Sequence, residues 1–276
     1  MSSIKLDGNT LTSTELALVS MGEKVEVASD AWIRVDAARK VVDNILESGQ
    51  TVYGINTGFG ALVSASISPE DLSNLQVNLI RSHACGIGDN MSVQDTRAMM
   101  CVRANSLVKG HSGIQRSVIE QIITYLNEGI IPVVPRIGSL GASGDLAPLS
   151  HMALALIGEG EVWTDDGPAP TSEVLISKGL IGVELSAKDG LSLINGTSQM
   201  CSFLSSSENI LSTKSLFLFF KPSIVAPELA FLSLIWIDCS WISFNWDLKV
   251  SIFLSVEFII KSFSLFSFSA ILKPSD

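Results

Sequence analysis

A run of small residues, Ala142-Ser143-Gly144, stands directly before a predicted helix. The serine hydroxyl is a possible β-leaving group, and the small neighbours allow the backbone to approach itself closely. The run lacks the G-x-S-x-G spacing of a hydrolase nucleophile elbow. No strand and no suitably spaced acid accompany it, which argues against a dinucleotide-binding fingerprint. We therefore interpret it as a turn that presents backbone amides and the positive end of a helix dipole to whatever it holds.

A second loop begins at Tyr53 and runs Tyr53-Gly-Ile-Asn-Thr-Gly-Phe-Gly60. It is not a phosphate-binding loop, because no Gly-Lys-Ser/Thr follows it. A tyrosine beside such a loop can act as a general base if its pKa, about 10 when unperturbed, is lowered. Taken alone, the loop favours the simpler interpretation, a surface turn with a packed aromatic side chain.

Two further loops carry a histidine and an asparagine. His83 lies in Ser82-His-Ala-Cys-Gly-Ile-Gly88, where a helix runs out, and a histidine there can contact a ligand, although a lone histidine is more often structural. Asn195 opens Asn195-Gly-Thr197, which is by itself a turn signal. Its amide could also hold a carboxylate, an amine or a carbonyl.

Helices joined by glycine-rich loops are the predicted elements that carry these residues, so the fold class is predicted to be mainly α. The segment 36–48 places Val41, Ile45 and Leu46 on one side. No alternating β-α pattern suited to a parallel sheet is present. The other helix signals are caps, glycine stops and apolar stripes. Helix starts are predicted at Ser68 with Pro69, at Thr171 and at Asp189, and Gly49 is predicted to stop the helix 36–48. Ser92 is predicted to cap a helix through Val108 that ends at Gly110 and turns Met99, Val102 and Leu107 to the core. A further helix carries the stripe Ile114, Val118, Ile122 and Leu126 and ends at Gly129, and Pro148 opens the helix Leu149–Ile157, which ends at Gly158.

Composition narrows the class of protein. The chain has 276 residues and a formal net charge of −10, which argues against a nucleic-acid partner and fits a protein that handles a small molecule. The four cysteines form no C-x-x-C pair and no zinc-ligand spacing, so we expect a reduced compartment and no metal site. The N-terminus has no apolar run typical of a signal peptide. These features predict a cytoplasmic location.

The composition changes abruptly near residue 203. All 21 glycines lie at or before Gly196, whereas eleven of the 12 phenylalanines lie in 203–276. Turns and helix ends usually recruit glycine, so a long segment without one is atypical. We predict an N-terminal region, 1–202, that carries the chemistry, and an atypical apolar tail, 203–276.

Three interpretations of the tail remain open. A membrane-embedded tail is disfavoured by charged residues inside both of its apolar stretches, 223–244 and 250–272. The second interpretation is a buried helical segment. The third is a frameshifted or intron-derived, non-native translation, which the composition favours.

The four loops in this order resemble the aromatic amino acid ammonia-lyases of the histidine ammonia-lyase type. They are similar more broadly to phenylalanine and tyrosine ammonia-lyases and the related aminomutases. The most specific motif is Gly141-Ala-Ser-Gly-Asp-Leu-Ala-Pro148. The resemblance covers about residues 5–202 and implies the N-terminal part of the family's fumarase/aspartase-like helical fold.

The resemblance implies a built-in electrophile and no external cofactor. In the family, the nitrogen of the residue at Gly144 attacks the carbonyl carbon of the residue at Ala142, and loss of water closes a five-membered ring. Ser143 then loses its hydroxyl to leave an exocyclic methylene. The product is a methylidene-imidazolone formed from Ala142, Ser143 and Gly144.

The resemblance also implies a reaction and its residues. The substrate amine adds to the methylene, a base takes a β-proton, and ammonia leaves an α,β-unsaturated acid. Tyr53 matches the family's base, Asn195 a residue beside the electrophile, and His83 the position that sorts substrates. We therefore expect deamination of L-histidine to urocanate, with a tyrosine or phenylalanine lyase or aminomutase as the alternative.

The sequence departs from the family after Met200. The family's later glutamine, Tyr-x-x-Arg pair, phenylalanine and glutamate have no match there, and 203–276 contains no arginine to bind a substrate carboxylate. The homotetramer that the resemblance implies is therefore not expected of this chain. An inactive, truncated fragment of the family is a second alternative.

Overall fold

The computed structural model describes residues 3–58, 67–68, 71–139 and 144–205. The N-terminal part pairs a strand of the first residues with a second strand that follows a short helix. The elements are β1 (Ile4–Leu6), α1 (Ser13–Ser20), β2 (Val25–Val27) and α2 (Ser29–Ser48). β1 and β2 are parallel, with Leu6 opposite Val27. A capping box between Thr12 and Glu15 starts α1.

The middle of the chain is mainly helical. Its elements are α3 (Leu72–His83), β3 (Ile87–Asn90), α4 (Val93–Leu107), α5 (Arg116–Glu128), β4 (Ile131–Pro132) and β5 (Pro135–Ile137). β3 and β5 form an antiparallel pair that brings the segment after α3 beside the segment that leads to 138–145.

The remaining described elements are α6 (Leu146–Leu156), β6 (Glu161–Thr164), β7 (Gly167–Pro170), α7 (Thr171–Ser177), α8 (Asp189–Ile194) and α9 (Ser198–Ser205). β4, β6 and β7 form a three-stranded antiparallel sheet in that order. These strands are short, and the sequence pattern did not predict them.

α4 lies at the centre of the core and packs against α1, α5 and α9. It is amphipathic only weakly, because most of its surface is covered by other helices. The Tyr125 hydroxyl of α5 donates a 2.7 Å hydrogen bond to the carbonyl oxygen of Ala155 in α6. This bond joins two helices inside the core, since Tyr125 is fully buried.

Most predicted helix signals are confirmed. Gly49 and Gly129 end α2 and α5 in the left-handed conformation, and the Ser92 hydroxyl caps α4 by accepting the backbone N–H of Asp95 at 3.0 Å. The predicted starts at Thr171 and Asp189 are the first residues of α7 and α8. The apolar stripe that leads into α5 and the core side of α4 are also as predicted. Val102 of α4 is partly buried and packs against the core, and the other predicted residues are buried: Met99, Leu107, Ile114, Val118, Ile122 and Leu126.

Two predictions are wrong in detail. Val41 is 58% exposed, and its neighbour Val42 is buried in its place. Helix α6 begins at Leu146, so Pro148 stands inside its first turn instead of opening it. Proline is tolerated there because the first turn's N–H groups have no intrahelical partner.

Several predictions fall outside the described residues. The predicted helix start at Pro69 lies outside the described residues, and α3 as described begins at Leu72. The tail beyond residue 205 also lies outside them. The boundary after residue 202 therefore stays a prediction. Within the described ranges, no helix combines the length and apolar character needed to cross a membrane.

Candidate functional site

Three helix ends adjoin the loops that the motifs singled out. Helices α3, α6 and α8 pack against one another. His83 is the last residue of α3, Asn195 directly follows α8, and Gly144 stands just before the cap of α6. The positive end of α6 therefore lies beside the C-terminal ends of the other two helices, where its dipole favours negative charge.

Gly144 and Gly196 are in direct contact. Gly144 has a φ of 105°, a conformation that side chains rarely adopt, and a Cβ added there would overlap the carbonyl oxygen of Gly196. That oxygen accepts the backbone N–H of Asp145 at 2.6 Å. Gly144 and Asp145 are thus fastened to the turn that begins at Asn195.

The carboxylate of Asp145 reinforces the same junction. Asp145 is buried, and its two oxygens accept the Ser139 hydroxyl at 2.7 Å and the backbone N–H of Met200 at 3.1 Å. These bonds tie the residues before the motif to helix α9. A charged group buried in this way is stable only because both of its oxygens are hydrogen-bonded.

His83 is half-buried at the end of α3. Its Nδ1 lies 2.9 Å from the carbonyl oxygen of Leu79 and 3.0 Å from the hydroxyl of Ser82. The Ser82 hydroxyl donates its own hydrogen bond to the Leu79 carbonyl oxygen at 2.8 Å. Because a carbonyl only accepts, the Nδ1 carries a proton when the ring is neutral. The Nε2 is then the ring's hydrogen-bond acceptor.

The loop after His83 packs on the first turns of α6. The backbone N–H of Gly86 donates to the Nε2 of His151 at 3.1 Å. Gly138 also packs closely on the start of α6, because a Cβ added to it would lie 2.9 Å from the Cβ of Ala147. Burial lowers the pKa of His151, which keeps its ring neutral and able to accept this bond. This contact gives His151 a structural role.

The Tyr53 loop is held by Asn56 and rests on α8. Asn56 is buried, and its side-chain oxygen accepts the backbone N–H of Val52 at 2.8 Å. A Cβ added to Gly54 would lie 2.9 Å from a methyl of Leu191 in α8. Tyr53 itself is 57% exposed, so its ring is reachable from solvent.

The motif residues are thus brought together to different degrees. The contacts join the loops of Tyr53, His83, Gly144 and Asn195 through α3, α6 and α8. Asn195 is exposed. Ala142 and Ser143 lie outside the described residues. Within the described ranges, no group of three or more histidine, cysteine or acidic side chains could hold a metal ion.

Sequence reasoning missed three residues here: Asp145, Gly196, and Arg103 of α4, whose buried guanidinium lies against Gly196. The predicted helix began at Pro148, and the Asp145 side chain makes no capping bond to α6, so no capping signal marked Asp145. Gly196 was seen only as a turn residue. Arg103 gave no signal, because an arginine within a helix is ordinarily an exposed residue.

The fold is that of the ammonia-lyases and aminomutases, as its likeness to two solved structures shows. A tyrosine aminomutase from Streptomyces globisporus is 40% identical, with a TM-score of 0.70, covering 74% of this chain and 38% of that one. A histidine ammonia-lyase from Trypanosoma cruzi is 38% identical, with a TM-score of 0.69, covering 74% of this chain and 40% of that one.

A family model described as "Aromatic amino acid lyase" matches residues 11–214, and this chain belongs to that family. A histidine ammonia-lyase from Bacillus velezensis is 47% identical over 198 residues, which are 71% of this chain and 39% of that protein. The chain therefore spans well under half the length of the relatives it matches.

Proposed function

We propose that this chain carries the first part of the active site of an ammonia-lyase that converts L-histidine to urocanate and ammonia. The observation that carries the proposal is the contact of Gly144 with Gly196, which would set an electrophile formed at Gly144 beside Asn195. Similarity to the Bacillus velezensis histidine ammonia-lyase supports histidine as the substrate.

The aromatic amino acid lyases use a self-formed methylidene-imidazolone, and Ala142, Ser143 and Gly144 are the residues that would form it here. The backbone at Gly144 suits the closure, because its φ of 105° and the tight contact with Gly196 leave no room for a Cβ. When formed, the group supplies an electrophile for the substrate amine. The proposal needs no metal and no external cofactor.

The side chains that would act on the substrate have separate roles. Tyr53, which is exposed to solvent, would take the β-proton. The Nε2 of His83 would accept a hydrogen bond from the N–H of the substrate imidazole, since its Nδ1 is already held by Leu79. The amide of Asn195 would contact the substrate beside the electrophile.

A tyrosine or phenylalanine lyase or aminomutase is the alternative within the family. The Nε2 of His83 would accept a phenol O–H as readily as an imidazole N–H, and the Streptomyces globisporus tyrosine aminomutase has the same fold. An inactive fragment is the other alternative, because the chain spans 39% of the Bacillus velezensis relative. The family's homotetramer is not assumed for this chain, and the cytoplasmic location stays a prediction.

The test compares the full chain with Ser143→Ala. Closing the ring removes two waters: one as the Gly144 nitrogen bonds the Ala142 carbonyl carbon, and one as Ser143 loses its hydroxyl and α-proton. The parent chain should be lighter than its sequence by both waters in an intact mass spectrum, and Ser143→Ala cannot lose the second. An unmodified parent chain would overturn the proposal.

Product release then separates the alternatives. Urocanate from L-histidine is measured beside coumarate from L-tyrosine and cinnamate from L-phenylalanine. Fastest release of urocanate supports the proposal. Faster release of coumarate or cinnamate would instead show that tyrosine or phenylalanine is the preferred substrate. A closed ring with no product from any of the three supports the inactive fragment.

A further inference from the structure

Arg103 of α4 is a buried cation that points at the end of α8. It is only 4% exposed, and its Nη2 donates a hydrogen bond to the carbonyl oxygen of Ser192. Its Nε is buried without a hydrogen-bond partner among the described residues, and no carboxylate in that part of the chain forms an ion pair with it. A guanidinium at a helix C-terminus is favourable, because the last carbonyls carry partial negative charge.

The guanidinium also forms one wall of the junction at Gly196. A Cβ added to Gly196 would overlap the Nη1 of Arg103, while a Cβ added to Gly144 would overlap the carbonyl oxygen of Gly196. Gly196 is therefore layered between Arg103 on one side and Gly144 on the other. The Gly196 oxygen meanwhile accepts the backbone N–H of Asp145 at 2.6 Å.

Arg97 on the same helix provides an internal comparison. It is 6% exposed, and it donates to the carbonyl oxygens of Val19 at 2.8 Å and Leu126 at 2.9 Å, at the ends of α1 and α5. Both arginines thus bind C-terminal carbonyls of neighbouring helices. Only Arg103 abuts the junction that contains Gly144.

Burying Arg103 is costly, which argues for a role beyond packing. Burial lowers its pKa to about 10, so the side chain still carries its charge near neutral pH. An apolar side chain of similar volume would avoid the desolvation penalty of that charge. Its position at Gly196 gives a reason to keep it.

We propose that Arg103 is a positioning residue whose guanidinium holds the Asn195–Gly196 turn against Gly144, and so sets the spacing between the Asn195 amide and the electrophile. The inference rests on the proposed function. Its structural half, the holding of the turn, is measurable whether or not the ring forms.

The test uses the full chain with Arg103→Met and Arg103→Lys, and with Arg97→Met as the matched loss of a buried arginine from α4. The first readout is amide hydrogen exchange at Asp145, whose N–H is bound to Gly196. Arg103→Met should speed this exchange by about tenfold, the factor that loss of one buried hydrogen bond gives. Arg103→Lys, which keeps a positive charge, should restore part of the protection, and Arg97→Met should leave Asp145 protected relative to the rest of the core.

The second readout is the rate at which the chain loses two waters, scaled to the folded fraction measured by circular dichroism. Arg103→Met should slow it by about tenfold, with Arg103→Lys between that variant and the parent. Unchanged exchange at Asp145 in a folded Arg103→Met chain would overturn the positioning role. If Arg103→Met does not fold, Arg103→Lys decides the question by the same comparison.

The two readouts also separate this inference from the proposed function. A parent chain that never loses water contradicts the proposed function, while the Asp145 exchange still decides whether Arg103 holds the turn. Faster exchange with an unchanged rate of water loss would limit Arg103 to stabilising the fold and overturn its part in the reaction.

Discussion

The backbone N–H of Asp145 donates a 2.6 Å hydrogen bond to the carbonyl oxygen of Gly196. This bond joins the turn before α6 to the turn after α8, which are far apart in the chain. The carboxylate of the same Asp145 binds Ser139 and the backbone of Met200, so one residue fastens three segments. The chemistry proposed for the chain depends on this junction staying closed.

Replacing Gly144 by alanine should destabilise the fold more than the same change at Gly129. Both glycines have positive φ, 105° and 69°, but a Cβ at Gly144 would overlap the Gly196 carbonyl, whereas a Cβ at Gly129 would meet nothing within 4 Å. We expect the free energy of unfolding to fall by about 1 kcal/mol for Gly129→Ala and by clearly more for Gly144→Ala. Urea unfolding followed by circular dichroism measures both values. Equal losses would mean that the contact with Gly196 has no energetic weight.

His151 should make the free energy of unfolding depend on mildly acidic pH. Burial lowers its pKa in the folded chain, while the unfolded value is about 6.5. The unfolded chain therefore binds the proton more tightly, so the stability is fully present above about pH 6.5 and is lost as pH falls through the lower folded pKa.

The change His151→Gln tests this dependence. A glutamine oxygen still accepts the N–H of Gly86 but does not titrate in this range. Urea unfolding at about pH 7.5 and about pH 5 should show a smaller difference in the variant than in the parent chain. His111→Gln, at an exposed position, is the control and should keep the parent's difference. An unchanged difference in His151→Gln would rule out His151 as the source.

Tyr125→Phe should cost about 1 kcal/mol near neutral pH, because it removes the 2.7 Å hydrogen bond to Ala155. Burial raises the pKa of Tyr125 to about 12 in the folded chain, against about 10 when unfolded. The stability that Tyr125 contributes is therefore present below about pH 10 and is lost as pH rises toward about 12. Unfolding curves across that range should converge for parent and variant, and curves that stay parallel would contradict the assignment.

The cysteines should differ sharply toward alkylating reagents. Cys101 is fully buried, and burial raises its pKa to about 12, whereas Cys85 is exposed. Because the thiolate is the reactive form, Cys85 should be labelled in the native chain and Cys101 only as the chain unfolds. Mass spectrometry of labelled peptides at rising urea concentration measures both sites, with Cys85→Ser as a check on peptide assignment. Native labelling of Cys101 at the rate of Cys85 would mean that α4 opens locally.

Local sequence signals were enough to predict most of the helices and the family. Gly49 and Gly129 end helices because glycine enters the left-handed conformation without a steric penalty, and Ser92 caps α4 through a bond to a residue close in sequence. Local rules of this kind need no knowledge of what packs where. Membership in the ammonia-lyases was also predictable without knowledge of packing, because short motifs in a set order indicate it. These motifs are the loops that carry Tyr53, His83, Ala142-Ser143-Gly144 and Asn195.

Only the tertiary structure decided which residues meet. Whether Val41 or Val42 of α2 turns inward depends on the position of the neighbouring helices, and the helical pattern allowed either. Arg103 binds Ser192 across 89 residues of chain, a contact that no local pattern encodes. A buried charge needs hydrogen-bond partners, and the partner of Arg103, the Ser192 carbonyl of α8, is brought to it by the tertiary fold, so the role of Arg103 follows from packing and not from its place in α4.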